Sequence, residues 1–96
     1  MNRRETIQLL QAHRQELTQL GVDSLALFGS VAKGEAHPKS DIDILVTFSK
    51  PVGFFEFLEA KDYLEHLLGR PVDLVTEDAL KPQLRENILA EAVRVA

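Results

Sequence analysis

The sequence contains no cysteine, and aromatic residues make up only 6% of its 96 positions. Without cysteine, neither a disulfide framework nor a thiolate zinc site is possible. None of the apolar stretches is long enough to span a bilayer, and Met1 to Glu5 lead into no apolar signal segment. These absences predict a cytoplasmic protein with no membrane association.

Basic residues are also in the minority, because eleven Lys and Arg stand against fifteen Asp and Glu, for a net charge of −4. A surface of this sign repels a phosphate backbone, so we expect no stable nucleic-acid binding. A local phosphate site remains compatible with this charge, since one nucleotide needs only a few donors and a metal ion. The length predicts one minimal domain over residues 1–96, with no helical appendage to grip an acceptor.

The hydrophobic spacing and the turn residues predict an alternation of helices and strands. Helices are predicted over residues 3–20, 54–68 and from Pro82 onward, strands over 22–28, 41–48 and 71–76, a helical turn at 31–33 and a loop at 34–40. Phe54, Phe55 and Phe57 are predicted to lie in the core. This order indicates an α/β fold of the α+β type, a small mixed sheet with its helices packed on one face.

The second predicted strand alternates between an entirely apolar face and a face that carries its polar residues. One face carries Ile42, Ile44, Val46 and Phe48. The other face carries Asp41, Asp43, Leu45 and Thr47. The Cα atoms of Asp41 and Asp43 should therefore be roughly 6.6 Å apart, with both side chains able to reach one site. Asp73 has the same parity on the next strand. The register that buries the apolar face thus predicts three aspartates on one open face.

Paired carboxylates on one face suit magnesium, which takes one or two carboxylates and completes its octahedron with water and phosphate oxygens. Asp73 would complete a site for two ions about 3.5–4 Å apart, as in enzymes that transfer phosphoryl or nucleotidyl groups. For the phosphates, Gly29 permits a close backbone approach, Ser30 offers a hydroxyl and Lys33 a point charge. Taken singly, each feature is also explained by a solvated strand end, an ordinary turn or a solvated lysine.

Together, these features resemble the nucleotidyltransferase superfamily related to polymerase beta, whose signature is Gly-Ser, a spacer and Asp-x-Asp. The chain reads Gly29-Ser-Val-Ala-Lys-Gly34 and then Ser40-Asp-Ile-Asp-Ile-Leu-Val46. More closely, nearly the whole chain is similar to the minimal nucleotidyltransferase (MNT) antitoxins encoded beside HEPN-domain ribonuclease toxins. Many relatives carry arginine in the turn after Gly-Ser, whereas this chain has Val31 and Lys33 there. Lysine offers the phosphates a point charge, while arginine would bind them in a bidentate manner.

The resemblance implies catalytic and metal-ligating roles for Asp41, Asp43 and Asp73 and triphosphate binding through Gly29 and Ser30. It also implies two magnesium ions, ATP as donor, and a tyrosine of a HEPN toxin as acceptor in a type VII-like toxin–antitoxin pair. In the leading hypothesis, Asp73 deprotonates or positions the incoming hydroxyl, and AMP is transferred. Two alternatives stay open: an antitoxin that only occludes the toxin, or transfer to a small molecule or RNA.

Overall fold

The computed structural model describes residues 3–29 and 41–95. These residues form the strands β1 (Val22–Phe28), β2 (Ile42–Phe48), β3 (Val72–Thr76) and β4 (Val93–Arg94), the helices α1 (Arg3–Ala12), α2 (Arg14–Gln19), α3 (Phe54–Leu68) and α4 (Pro82–Glu91), and a 3-10 turn at Glu77–Ala79. The strands make one sheet in the order β3-β2-β1-β4. β1 is antiparallel to both of its neighbours, whereas β2 and β3 are parallel. The predicted mixed sheet and α+β class are confirmed.

One face of the sheet is buried beneath the helices, as the alternation predicts. The core cluster contains Leu25 and Leu27 of β1, Ile42, Ile44 and Val46 of β2, Val72 and Leu74 of β3, and, from outside these strands, Leu10, Leu17, Ala60, Leu64, Leu68 and Val95. Because side chains alternate along a strand, burial of this set sends the intervening residues to the other face. The aspartates therefore lie on the face of the sheet that the helices do not cover.

The helix predicted over residues 3–20 is interrupted at His13. The N–H of His13 donates to the carbonyl of Leu10 at 3.2 Å, while its Nδ1 lies 3.0 Å from the carbonyl oxygen of Leu9. In a continuous α-helix, the Leu9 carbonyl would accept the backbone N–H of His13. Here the imidazole takes that place, so α1 ends and α2 begins after it.

Helix α3 follows its prediction in length, and Gly69 ends it in the left-handed region at φ +66°. The prediction that its aromatic residues enter the core is wrong for two of them. Phe54 is 69% exposed and Phe55 82% exposed, with their rings 5.9 Å apart in an edge-to-face pair. At about 100° per residue, Phe55 lies on the side of α3 opposite the buried stripe of Ala60 and Leu64. Of the three phenylalanines of this helix, only Phe57 packs against the core.

Helix α4 buries none of its residues, contrary to its predicted apolar face. Leu84 and Leu89 are 48% and 40% exposed. An ion pair of 2.5 Å between Arg85 and Glu77 ties the helix to the preceding 3-10 turn. In the part of the chain that the structure describes, no helix has both the length and the apolar character needed to cross a membrane.

Candidate active site

The parallel pairing of β2 with β3 brings two aspartates side by side. In its register, Ile42 lies beside Val72, Asp43 beside Asp73, and Ile44 beside Leu74. Neighbouring strands are about 4.8 Å apart, and residues in register on parallel strands point to the same face. Since the flanking apolar residues are buried on the helix side, Asp43 and Asp73 share the opposite face.

Asp41 joins this pair from the residue immediately before β2. It lies two positions before Asp43, which places their Cα atoms roughly 6.6 Å apart with the same parity. The N–H of Ile42 donates to the carbonyl of Pro71 at 3.0 Å and so holds the start of β2 against the start of β3. Asp41 and Asp73 are exposed and Asp43 is half-buried. The three carboxylates thus form an accessible acidic cluster, which we call the aspartate cluster.

Gly29 brings the backbone after β1 into direct contact with this cluster. Phe28, the last residue of β1, pairs with Asp43, and Gly29 follows at φ +70°. A Cβ built on Gly29 would lie 3.1 Å from Cγ of Asp43 and would overlap its Oδ2. Only glycine provides both the left-handed conformation and the space for this carboxylate. Ser30 and Lys33, the other predicted phosphate-binding residues, lie outside the described residues.

The electrostatics of the cluster favour a cation. Burial, the negative charge of Asp73, a hydrogen bond with the Asp73 side chain and the charge of Asp41 together raise the pKa of Asp43 above its ordinary value of 3.8. A divalent ion between these carboxylates would neutralise the repulsion and offset the desolvation. The oxygen-only donor set is the one magnesium prefers. Magnesium therefore fits the residues that are present.

The protein does not by itself complete a metal cage. Among residues 3–29 and 41–95, no group of three or more acidic or histidine side chains is close enough to hold an ion. Magnesium commonly needs only one or two carboxylates when a substrate phosphate and water supply the other ligands. This arrangement can accordingly hold a metal ion together with a nucleotide, the substrate providing the missing oxygens.

The raised pKa of Asp43 gives a pH-dependent stability in metal-free protein. The folded state binds the Asp43 proton more tightly than the unfolded state, so ionisation of this group destabilises the fold. We expect Asp43→Asn to be more stable than the wild type above the folded-state pKa, with the difference shrinking as the pH falls from about 7 to about 4. Chemical denaturation with a chelator present measures both proteins across this range.

The control for this titration is Asp23→Asn, which removes an exposed carboxylate from β1. Asp23 is five residues before the partner of Asp43, roughly 16 Å along the strand. Comparison of the two variants separates the effect of removing a crowded carboxylate from the effect of removing any negative charge. A difference between Asp43→Asn and wild type that does not vary with pH, or an asparagine variant less stable than wild type at neutral pH, contradicts the expectation.

A recess of about 540 Å³ lies at the other end of β2 from the aspartates. Residues 46–52 and 76–78 line it, and, as far as the described residues show, none of the three aspartates does. Thr47 in its wall is roughly 13 Å along the strand from Asp43. The candidate active site is therefore an accessible sheet face rather than this recess, and a macromolecular acceptor can approach it.

The face that carries the aspartates is less open than predicted. Leu45 is only 7% exposed, although it has the parity of Asp43. The strand β4 was not predicted from the sequence. It places Arg94 opposite Ala26 on this same face, because Ala26 in turn pairs with Leu45. The alternation of Val93, Arg94 and Val95 was the available signal, but three residues are too few to predict a strand. The aspartate cluster thus occupies one end of a partly covered face.

Comparisons with known proteins give mutually consistent results. A family model described as Nucleotidyltransferase domain matches residues 10–95. Protein adenylyltransferase MntA of Thermococcus cleftensis is 43% identical over 88 residues, which cover 91% of this chain and 89% of that protein. A solved structure of a minimal nucleotidyltransferase superposes with a TM-score of 0.83 at 38% identity, covering 97% of this chain and 95% of the other. A crystal structure of a toxin-antitoxin with AMP-PNP gives a TM-score of 0.71 at 26% identity, covering 100% and 73%.

Proposed function

Since this chain belongs to the nucleotidyltransferase domain family and is a nucleotidyltransferase, we propose that it transfers AMP from ATP to a tyrosine hydroxyl of a HEPN-domain toxin and thereby neutralises it. The observation that carries the proposal is the register pair of Asp43 and Asp73, joined by Asp41 and touched by Gly29. This constellation combines a carboxylate site for a metal with a backbone turn suited to phosphates.

The proposed reaction assigns distinct tasks to the residues of the cluster. Asp41 and Asp43 would hold magnesium, and Asp73 would ligate it from the neighbouring strand. Magnesium, when bound, polarises the α-phosphate and stabilises the charge that develops on the leaving pyrophosphate. Asp73 is exposed and accepts or orients the proton of the incoming hydroxyl, whose oxygen attacks the α-phosphorus. Gly29 allows the backbone to approach the triphosphate, and Ser30 and Lys33 supply further donors to it.

The comparisons support the nucleotide and the partner. The Thermococcus cleftensis relative is named a protein adenylyltransferase, and the chain covers most of its length. A structural relative at 26% identity is a toxin-antitoxin with AMP-PNP, a non-hydrolysable ATP analogue. The accessible aspartates also favour a protein acceptor, because the acceptor hydroxyl must be brought to an open sheet face.

Label transfer tests this proposal. The chain is mixed with magnesium, the cognate toxin and ATP carrying a radiolabel on either the α-phosphate or the γ-phosphate. We expect the α-label to become attached to the toxin and the γ-label to leave with pyrophosphate, with the modified residue identified as tyrosine by peptide mass spectrometry. Attachment of the γ-label would indicate phosphorylation and would overturn the assignment of the reacting phosphate.

A second experiment distinguishes neutralisation of the toxin by nucleotide transfer from neutralisation by occlusion alone. The double variant Asp41→Ala with Asp43→Ala removes two carboxylates from the cluster and leaves the helix-covered core untouched. We expect cells that produce the toxin with this variant to lose protection. Full protection by the double variant would show that binding alone neutralises the toxin.

A further inference from the structure

Glu65, in the last turn of α3, accepts one hydrogen bond at the end of the helix and another at the start of β3. Its backbone carbonyl accepts the N–H of Gly69 at 2.8 Å and so closes the helix. Its side-chain Oε2 accepts the N–H of Val72 at 2.9 Å in a partly buried position. One residue therefore holds both the end of the helix and the start of the strand.

The N–H of Val72 needs this acceptor because of its place in the sheet. β3 is one of the two edge strands, and in the part of the chain that the structure describes no strand lies on its outer side. Backbone groups alternate in direction along a strand, and the carbonyl of Pro71 accepts the N–H of Ile42. The N–H of Val72 therefore points away from β2. A partly buried donor that is left without an acceptor is unfavourable, and the Glu65 carboxylate satisfies it.

The anchored peptide groups lie beside the aspartate cluster. Val72 directly precedes Asp73, and Ile42 lies between Asp41 and Asp43. Glu65 holds the start of β3 from its outer side while Ile42 holds it from the inner side. A small shift of β3 along or away from β2 would move Asp73 relative to Asp43. Such displacements in a catalytic constellation are costly, about a hundredfold per ångström.

We propose that Glu65 is a positioning residue, whose carboxylate fixes the start of β3 and so keeps Asp73 in register with Asp43. The role depends on the reach and the acceptor oxygen of the side chain rather than on its charge. The inference rests on the proposed nucleotidyl transfer, in which Asp73 ligates metal and meets the incoming hydroxyl. Glu65 itself acts through the backbone, because its contact is with Val72.

Two conservative substitutions separate reach from charge. Glu65→Gln keeps the length of the side chain and an acceptor oxygen, whereas Glu65→Asp keeps the charge and shortens the side chain by one methylene. We expect kcat for nucleotide transfer to fall about tenfold in Glu65→Asp with KM for ATP within about twofold, and Glu65→Gln to stay within about twofold of wild type. Glu59→Asp, an exposed position on the same helix, is the matched control and should be unchanged.

Hydrogen exchange at the amide of Val72 provides a readout that needs no activity. We expect exchange about tenfold faster in Glu65→Asp and unchanged in Glu65→Gln and Glu59→Asp. Unchanged exchange in Glu65→Asp, retained kcat in that variant, or an equal loss in Glu65→Gln overturns the inference. If Glu65→Asp does not fold, the test rests on Glu65→Gln. That variant must then keep both the wild-type exchange rate at Val72 and the wild-type kcat. The expected exchange pattern together with an inactive wild type would instead overturn the proposed function.

Discussion

Asp43→Asn is expected to lower the rate of nucleotide transfer by about a thousandfold or more while leaving the chain folded. Asparagine has nearly the shape of aspartate but lacks the negative charge that attracts a divalent cation. Asp43 is the half-buried member of the cluster and pairs in register with Asp73, which places it between the other two aspartates in the proposed metal site. A transfer assay with saturating ATP and magnesium measures the loss in kcat.

The thermal stability of the same variant distinguishes lost chemistry from lost folding. In the metal-free state, Asp43→Asn should melt at or above the wild-type temperature at neutral pH, since it relieves a crowded carboxylate whose pKa is raised. Magnesium with ATP should raise the melting temperature of the wild type by mass action and that of the variant much less. Asp23→Asn should match the wild type in transfer and in its response to magnesium. An Asp43→Asn variant with more than about a tenth of wild-type kcat would contradict the assignment.

Gly29→Ala is expected to reduce transfer about a hundredfold by displacing the Asp43 carboxylate. The added methyl group would lie 3.1 Å from Cγ of Asp43 and 3.3 Å from its Cβ, within the volume that the carboxylate now occupies. Either the carboxylate rotates away or the turn after β1 shifts, and both outcomes would disturb the proposed phosphate and metal positions. The left-handed φ of +70° adds a folding cost of about 1–2 kcal/mol for any residue with a Cβ.

Gly21→Ala is the matched control for this experiment. Gly21 also has a left-handed conformation, at φ +87°, but a Cβ built there meets no atom within 4 Å. We expect Gly21→Ala to lower the free energy of unfolding by a similar amount, about 1–2 kcal/mol, with kcat unchanged. Transfer kinetics and urea denaturation of both variants provide the comparison. Equal activity of the two alanine variants would show that contact between Gly29 and Asp43 is unimportant.

Much of the fold could be predicted from local patterns. The alternation in β2 determines which face is buried, and its apolar residues Ile42 and Ile44 are fully covered as expected. Gly69 ends α3 where a left-handed residue is needed. The break at His13 could not be predicted from apolar spacing, because it depends on the imidazole competing for the carbonyl of Leu9. The exposure of Phe55, in contrast, follows from helical spacing, because it lies opposite the buried stripe of Ala60 and Leu64.

The aspartates of the site could be found from the sequence, and their contacts could not. Strand parity alone places Asp41, Asp43 and Asp73 on one face. The register that makes Asp43 and Asp73 neighbours depends on how β2 pairs with β3, which no local pattern specifies. The same holds for Glu65, whose side chain meets Val72 only after the chain turns at Gly69. The roles of Ser30 and Lys33 remain predictions from the sequence.

The most direct measurement of the central claim is the intact mass of the cognate toxin after incubation with this chain, magnesium and ATP. We predict an increase equal to one or more AMP groups with the wild-type chain and with Asp23→Asn, and no increase with Asp43→Asn. An unchanged toxin mass with folded wild-type protein, or equal modification by Asp43→Asn, would contradict nucleotidyl transfer by the aspartate cluster.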